Sequence, residues 1–274
     1  ATGRAFVARE VLRYKRGANG KPFHFLDFAC GKGYAITNEE DFSKADEALK
    51  REDQELDATD ILAIKGLGQF ERFKAASAFR LMIENWHISD FHVSDARQSQ
   101  EDGFAEHLST QGENLPLVAN YLFEHHRDRF DRVLKSMQQR VPGVSVVEPR
   151  QTEDGRLVLR FQDGSFKDPF IARHVSDGTI KMFAYLVLLN DPKPYPLLVV
   201  EEPENQLYPE LLAELAEEFR SYANRGGQVF ISSHSPDFLN ALTLDEIYCL
   251  RKQEGFTRIT RAGDSENLRA LFDA

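Results

Sequence analysis

The stretch Leu197–Pro209, LLVVEEPENQLYP, decides how this chain is read. Leu197 to Val200 are four branched apolar residues, the composition of a strand buried on both faces of a parallel sheet, and they stop abruptly at Glu201 and Glu202. A carboxylate is costly to bury without a partner, so two in succession at the end of a core strand predict a cationic neighbour. Downstream, residues 209–223 place Leu211, Leu212, Leu215, Phe219 and Tyr222 on one helical stripe. NRGG ends that helix, and QVFISS, residues 228–233, is a second apolar strand. This is a βαβ unit, so the strands are expected to be parallel with a right-handed crossover, and ligands in such sheets bind beyond the carboxyl ends of the strands. Glu201 and Glu202 end the first strand, and Ser233 and His234 end the second. Both constellations should face one crevice.

Acidic residues at a strand end can hold Mg²⁺ directly or through water, and a second carboxylate can orient a water for attack on a phosphoryl group. A neighbouring histidine can donate to a phosphate oxygen. A structural reading competes: Glu202 and Glu204 favour the positive end of the following helix, and His234 with Ser235 can cap a short helix at Pro236. Either half alone favours the structural reading, whereas both on adjacent strand ends favour phosphate chemistry. Upstream, Ser176, Asp177 and Gly178 form a polar turn feeding an apolar helix that stops before Pro192. Exposed N–H groups at such a start form an anion site, and Ser-Asp-Gly is also an ordinary N-cap.

The 274 residues, 42% hydrophobic and 28% charged, suffice for a substantial core, and the formal charge of −10 argues against coating nucleic acid by bulk electrostatics. No stretch reaches the roughly 18 apolar residues of a membrane span, and ATGRAFVARE lacks a signal-peptide pattern, so no membrane association is expected. Cys30 and Cys249 match no metal or redox spacing and suit a reducing compartment, which makes a cytoplasmic location the expectation. The chain opens without Met inside a strand-like pattern, which suggests a fragment.

Residues 5–37 read as β, with a turn at 17–22, and 38–60 as a charged helix or excursion. Helices are expected over 69–85 and 115–138, and a hairpin over VSVVEP and RLVLRFQD. The expected division is a β-rich part over 1–60, a helical subdomain over 61–143, and a parallel-sheet lobe over 144–274, all within an α/β fold. His87, Asp90, His92 and Asp95 invite a metal reading, but neither strand nor helix spacing brings all four to one face. His125 and His126 are expected to be solvated, and Gln69 is at most a weak nucleotide-loop candidate.

VSDGTIK resembles the signature segment of ABC-type ATPases, LLVVEEPEN their Walker B strand, and ISSHSPDFL their switch-histidine loop, in matching order and spacing. With GENLPLVANYL, residues 112–122, the set is similar to the bacterial ABC-type AAA ATPases related to RecF, the chromosome-maintenance ATPases and the OLD family, from about residue 60 onward. The resemblance implies a P-loop NTPase head of ABC type that takes ATP and Mg²⁺ between two copies of the chain. Glu201 would help hold Mg²⁺ in a position usually Asp, and Glu202 would orient the attacking water. His234, beside Ser233, would contact the γ-phosphate; Asn205 would lie on the loop crossing the dimer interface. The turn Ser176, Asp177, Gly178 would reach ATP held by the partner. DNA or a nuclease subunit is the implied further partner. The chain contains no GxxxxGK[ST]: Gly20-Lys21 is followed by Pro22 and Gly31-Lys32 by Gly33. Hence the expectation is either an incomplete head whose P-loop segment precedes these residues or a degenerate, non-hydrolysing interaction subunit.

Overall fold

The structure is a computed structural model and describes residues 5–15, 22–37, 49–265 and 269. The expected turn at 17–22 lies almost wholly outside the described residues, as do 38–48 and the last five residues. The chain divides into two compact units that part between Trp86 and His87. The helices expected at 69–85 and 115–138 fall on opposite sides of that division.

The first unit is an antiparallel meander of β1 (Glu10–Lys15), β2 (Pro22–Ala29), β3 (Lys32–Ile36) and β4 (Arg51–Glu55), followed by α1 (Ala63–Leu67) and α2 (Lys74–Glu84). Leu26, Phe28 and Ala35 of the sheet pack with Ala63, Ile64, Leu67, Phe73 and Ala76. Arg51–Glu55 is a correction to the charged helix or excursion expected there: it is a strand paired with β3 over Lys32↔Glu55 to Ile36↔Arg51. Its sequence, REDQE, is all polar, and among the described residues it is an edge strand, where charge blunts further pairing.

The second unit comprises β5 (Trp86–Ser89, from its second residue), α3 (Val93–Ala96), β6 (Gln100–Glu101), α4 (Leu115–His125), α5 (Arg127–Arg140), β7 (Val144–Gln151), β8 (Arg156–Asp163), β9 (Phe170–Ile171), α6 (Asp177–Leu189), β10 (Leu197–Glu201), α7 (Pro209–Asn224), β11 (Gln228–Ser232), α8 (Pro236–Asn240), β12 (Tyr248–Gln253) and β13 (Phe256–Arg261). The helix expected over 115–138 is two helices: His126, at φ −134° and ψ 51°, is non-helical and joins them. His126 is also partly buried, with Nε2 3.0 Å from the Tyr121 hydroxyl, so it is not simply solvated.

The βαβ unit has parallel strands in register from Leu197↔Gln228 to Glu201↔Ser232, within a sheet ordered β11-β10-β5. Leu198 and Val200 are buried in the main core with Leu212, Leu215 and Phe219 of α7. Every residue of α6 from Gly178 to Leu189 is buried, as befits a helix whose residues from Met182 to Leu189 are apolar on every side, and Thr179 and Lys181 are buried with them. The expectation of full burial on both sides of β10 fails: Leu197 and Val199 are only partly buried, and Phe230, the partner of Val199, is 53% exposed. The helices cover one face of this sheet, and among the described residues β11 is an edge strand.

Candidate functional site

At the carboxyl end of β10 the chain turns at once. Glu202 donates its N–H to Ser232 O at 3.0 Å, continuing the ladder, while its carbonyl accepts Asn205 N–H at 3.1 Å. Holding both contacts places Glu202 at φ +39°, and Gln206 follows at φ +64°. Non-glycine residues rarely adopt this left-handed region, and where packing enforces it the strain tends to mark functional loops. The Asn205 side-chain amide donates to Glu202 Oε2 at 2.9 Å, and His234 Nε2 lies 3.6 Å from Glu202 Oε1. The His234 ring is 88% exposed and therefore available to something outside this chain. Glu201, opposite Ser232, is exposed at the end of the sheet.

Glu204 joins the two strand-end loops. Its Oε1 accepts the Ser233 hydroxyl at 2.9 Å, the His234 N–H at 2.8 Å and the Ser235 N–H at 3.2 Å. The other carboxylate oxygen is buried without a protein partner. Ser235 also caps α8 by accepting Phe238 N–H at 3.3 Å, so the capping role and the site geometry coexist. Three residues after Glu201, Glu204 is thus an anchor between the two loops as well as a favourable charge for the helix dipole.

Ser176 is the N-cap of α6, accepting Thr179 N–H at 3.3 Å, with the two hydroxyls 2.8 Å apart. Asp177 pairs with Arg97 and accepts Gln206 Nε2 at 3.3 Å. A Cβ added at Gly178 would stand 3.2 Å from Gln206 O, so the bare glycine lets the turn lie directly against the loop that follows β10. The structure therefore brings Ser176, Asp177 and Gly178 beside the 202–208 loop of the same chain.

Among the described residues no cation pairs with Glu201, and Lys181, the buried cation beside this loop, pairs with neither strand-end carboxylate. It is 3% exposed on α6, and its Nζ donates to Asn205 O at 2.7 Å. Burial pulls its pKa down to about 8, against the opposing pull of Asp90, Glu204 and Glu202. The signal that could have found it is plain in the sequence: Lys181 is the only charged residue between Asp177 and Asp191.

Two strand-end carboxylates are oxygen donors of the kind Mg²⁺ takes while keeping several waters. Among the described residues no group of three or more His, Cys, Asp or Glu side chains is arranged to hold a metal alone. The donor set thus fits an ion shared with a phosphate ligand better than a closed protein cage. His92 sits 3.5 Å from Asp90 and 3.6 Å from Asp95, whereas His87 stacks on Tyr195 at 4.4 Å, so the 87–95 cluster does not converge.

No curated protein sequence matches this chain. Among solved structures, a chain from work on ATP-driven dimerization and DNA-stimulated activation of SMC ATPases is 13% identical, with a TM-score of 0.41, over 57% of this chain and 96% of that one. An Smc head bound to the C-winged-helix domain of ScpA is 13% identical, with a TM-score of 0.45, over 88% of this chain and 75% of that one. The Smc head with an extended coiled coil, bound to the C-terminal domain of ScpA and derived from Pyrococcus furiosus, is 12% identical, with a TM-score of 0.43, over 77% and 51%. A family profile described as "AAA domain, putative AbiEii toxin, Type IV TA system" matches residues 31–240, well over half of the chain, and the protein belongs to that AAA-domain family.

Proposed function

We propose that this chain forms most of an ABC-type ATPase head that binds ATP with Mg²⁺ and hydrolyses it between two copies. The observation that carries the reading is the linked set Lys181–Asn205–Glu202–His234, held beside the Ser176–Gly178 turn. Glu202 orients the attacking water, and its contact with Asn205 fixes the carboxylate while one oxygen stays turned toward His234. His234, carried by the Glu204 anchor, offers an exposed ring to the γ-phosphate, and Ser233 positions that loop. Glu201 would hold Mg²⁺, which neutralises phosphate charge when bound. Ser176, Asp177 and Gly178 face the nucleotide of the second copy.

Parallel sheets are normally covered on both faces. Here Phe230 is exposed and β11 has an unpaired edge among the described residues. A further strand bearing the phosphate cradle would find its partners there, which supports an incomplete head. DNA-directed or defence-related work, with DNA or a nuclease subunit as partner, is the use this reading proposes. A second reading, a non-hydrolysing interaction subunit, is favoured by one observation: the sequence holds no GxxxxGK[ST].

The test is Mg²⁺-dependent ATP hydrolysis by the protein with its native flanking sequence, beside its Glu202→Gln variant and the 274-residue chain. Turnover in the first alone, with Glu202→Gln trapped as a nucleotide-bound dimer, supports the ATPase. Equal, negligible turnover and no nucleotide-dependent dimer in any form supports the interaction subunit.

A further inference from the structure

A lysine that is 3% exposed has lost nearly all of its hydration, so its ammonium must be compensated by what it touches. Its hydrogen bond goes to a main-chain carbonyl, Asn205 O at 2.7 Å, on the loop after β10, 24 residues away. The same Asn205 donates its side-chain amide to Glu202 Oε2 at 2.9 Å. Two successive hydrogen bonds therefore run from the interior of α6 to the carboxylate at the strand end. At the head of the same helix, Gln206 donates to Asp177 at 3.3 Å and the Gly178 backbone lies against Gln206 O. The loop is thus held to α6 at two levels one turn apart, by a buried charge-assisted bond and by a surface contact.

We propose that Lys181 is a positioning residue, whose buried ammonium ties the loop carrying Glu202 and Asn205 to the helix headed by Ser176, so that the two move as one body. This rests on the ATPase reading for its meaning, but the mechanical claim stands on contacts within this chain. A hydrogen bond to a charged group is stronger than a neutral one, and among the described residues Asn205 O has no other protein donor. Without the ammonium, the left-handed residues Glu202 and Gln206 lose the tether that offsets their backbone strain. Glu202 would then sample orientations in which its carboxylate no longer meets Asn205 and His234 together.

Amide hydrogen exchange on the 274-residue chain tests this directly, comparing the parent with Lys181→Met, which keeps length but no charge or donor, and Lys181→Arg, which keeps both. Expected is exchange about tenfold faster or more at 202–207 in Lys181→Met, with the α7 and β8 amides unchanged and Lys181→Arg largely restored. Uniform acceleration across 87–265, or no change at 202–207, would overturn the proposal, since either means that Lys181 only fills space. If Lys181→Met does not fold, Lys181→Leu, shorter and likewise without charge or donor, takes its place with the same two outcomes. In a form that hydrolyses ATP, Lys181→Met should lower kcat with little change in KM. Absence of turnover in the parent overturns the ATPase reading and leaves the exchange result standing.

Discussion

Glu204 Oε1 stands 2.8 Å from the main-chain N–H of His234, and through that oxygen the loop after β11 is anchored to the loop after β10. The two residues lie 30 positions apart, and the parallel register Glu201↔Ser232 is what brings them together. Removing the carboxylate by Glu204→Ala would leave the Ser233 hydroxyl and the His234 N–H without their acceptor, while the Ser235 N–H keeps Ser233 Oγ at 3.1 Å, costing about 1–3 kcal/mol. Glu204→Gln retains an acceptor and should cost less. Urea unfolding midpoints of the two variants check this ordering, and a Glu204→Ala midpoint equal to the parent's would show that water replaces the anchor freely.

Gly227 begins β11's approach beneath α7. A Cβ there would stand 2.4 Å from Tyr222 Cε1, and Tyr222 is 1% exposed with its hydroxyl donating to Tyr195 O at 2.9 Å. The ring has no space to retreat into, so Gly227→Ala should destabilise by about 1–3 kcal/mol. Gly164→Ala, where an added Cβ meets nothing within 4 Å, is the matched control and should be close to neutral. Thermal denaturation of the pair separates crowding from any general effect of losing glycine.

Burial lowers the pKa of His87 from 6.5 to about 4, with nearby His107 adding to the effect. Between those values the unfolded chain binds more protons than the folded one, so this group's contribution is complete above about pH 6.5 and is lost as pH falls toward 4. Asp191, 2.7 Å from His107, acts in the opposite sense: burial raises its pKa, so its contribution declines as pH rises past the ordinary carboxylate value. His87→Phe keeps the stack on Tyr195 and removes only the titration. Its Tm should vary less than the parent's between pH 4 and 6.5, and parallel curves would show that His87 stays neutral for no energetic reason.

Phe230 is 53% exposed on a strand whose outer edge is unpaired among the described residues. Such an edge is a template for pairing with another chain. Phe230→Lys should reduce self-association of the 274-residue chain in light scattering and change its unfolding free energy by no more than about 0.5 kcal/mol. A large loss of stability would place Phe230 in the core.

Much of the second unit was legible because its signals are local. The alternation in RLVLRFQD, the stripe from Leu211 to Tyr222 and the short apolar run before Glu201 each specify an element within one window. The misreadings have non-local causes. Arg51–Glu55 has no apolar pattern, and only pairing with β3 makes it a strand. The periodicity of 115–138 runs through His126 unbroken, yet the backbone there leaves the helical region and the His126 ring bonds Tyr121.

By itself the sequence determined that two carboxylates end one strand and that Ser233 and His234 end the next, and it raised the expectation of a cationic neighbour for the carboxylates. Tertiary structure alone decided that Lys181, in the middle of α6, reaches the Asn205 carbonyl rather than either strand-end carboxylate, and that Glu204 anchors the second loop. Strand and helix periods depend on neighbours two to four residues apart, which a sequence displays directly. Which charge meets which backbone group across 24 to 30 residues depends on register and helix rotation, and these are set only when the whole core packs.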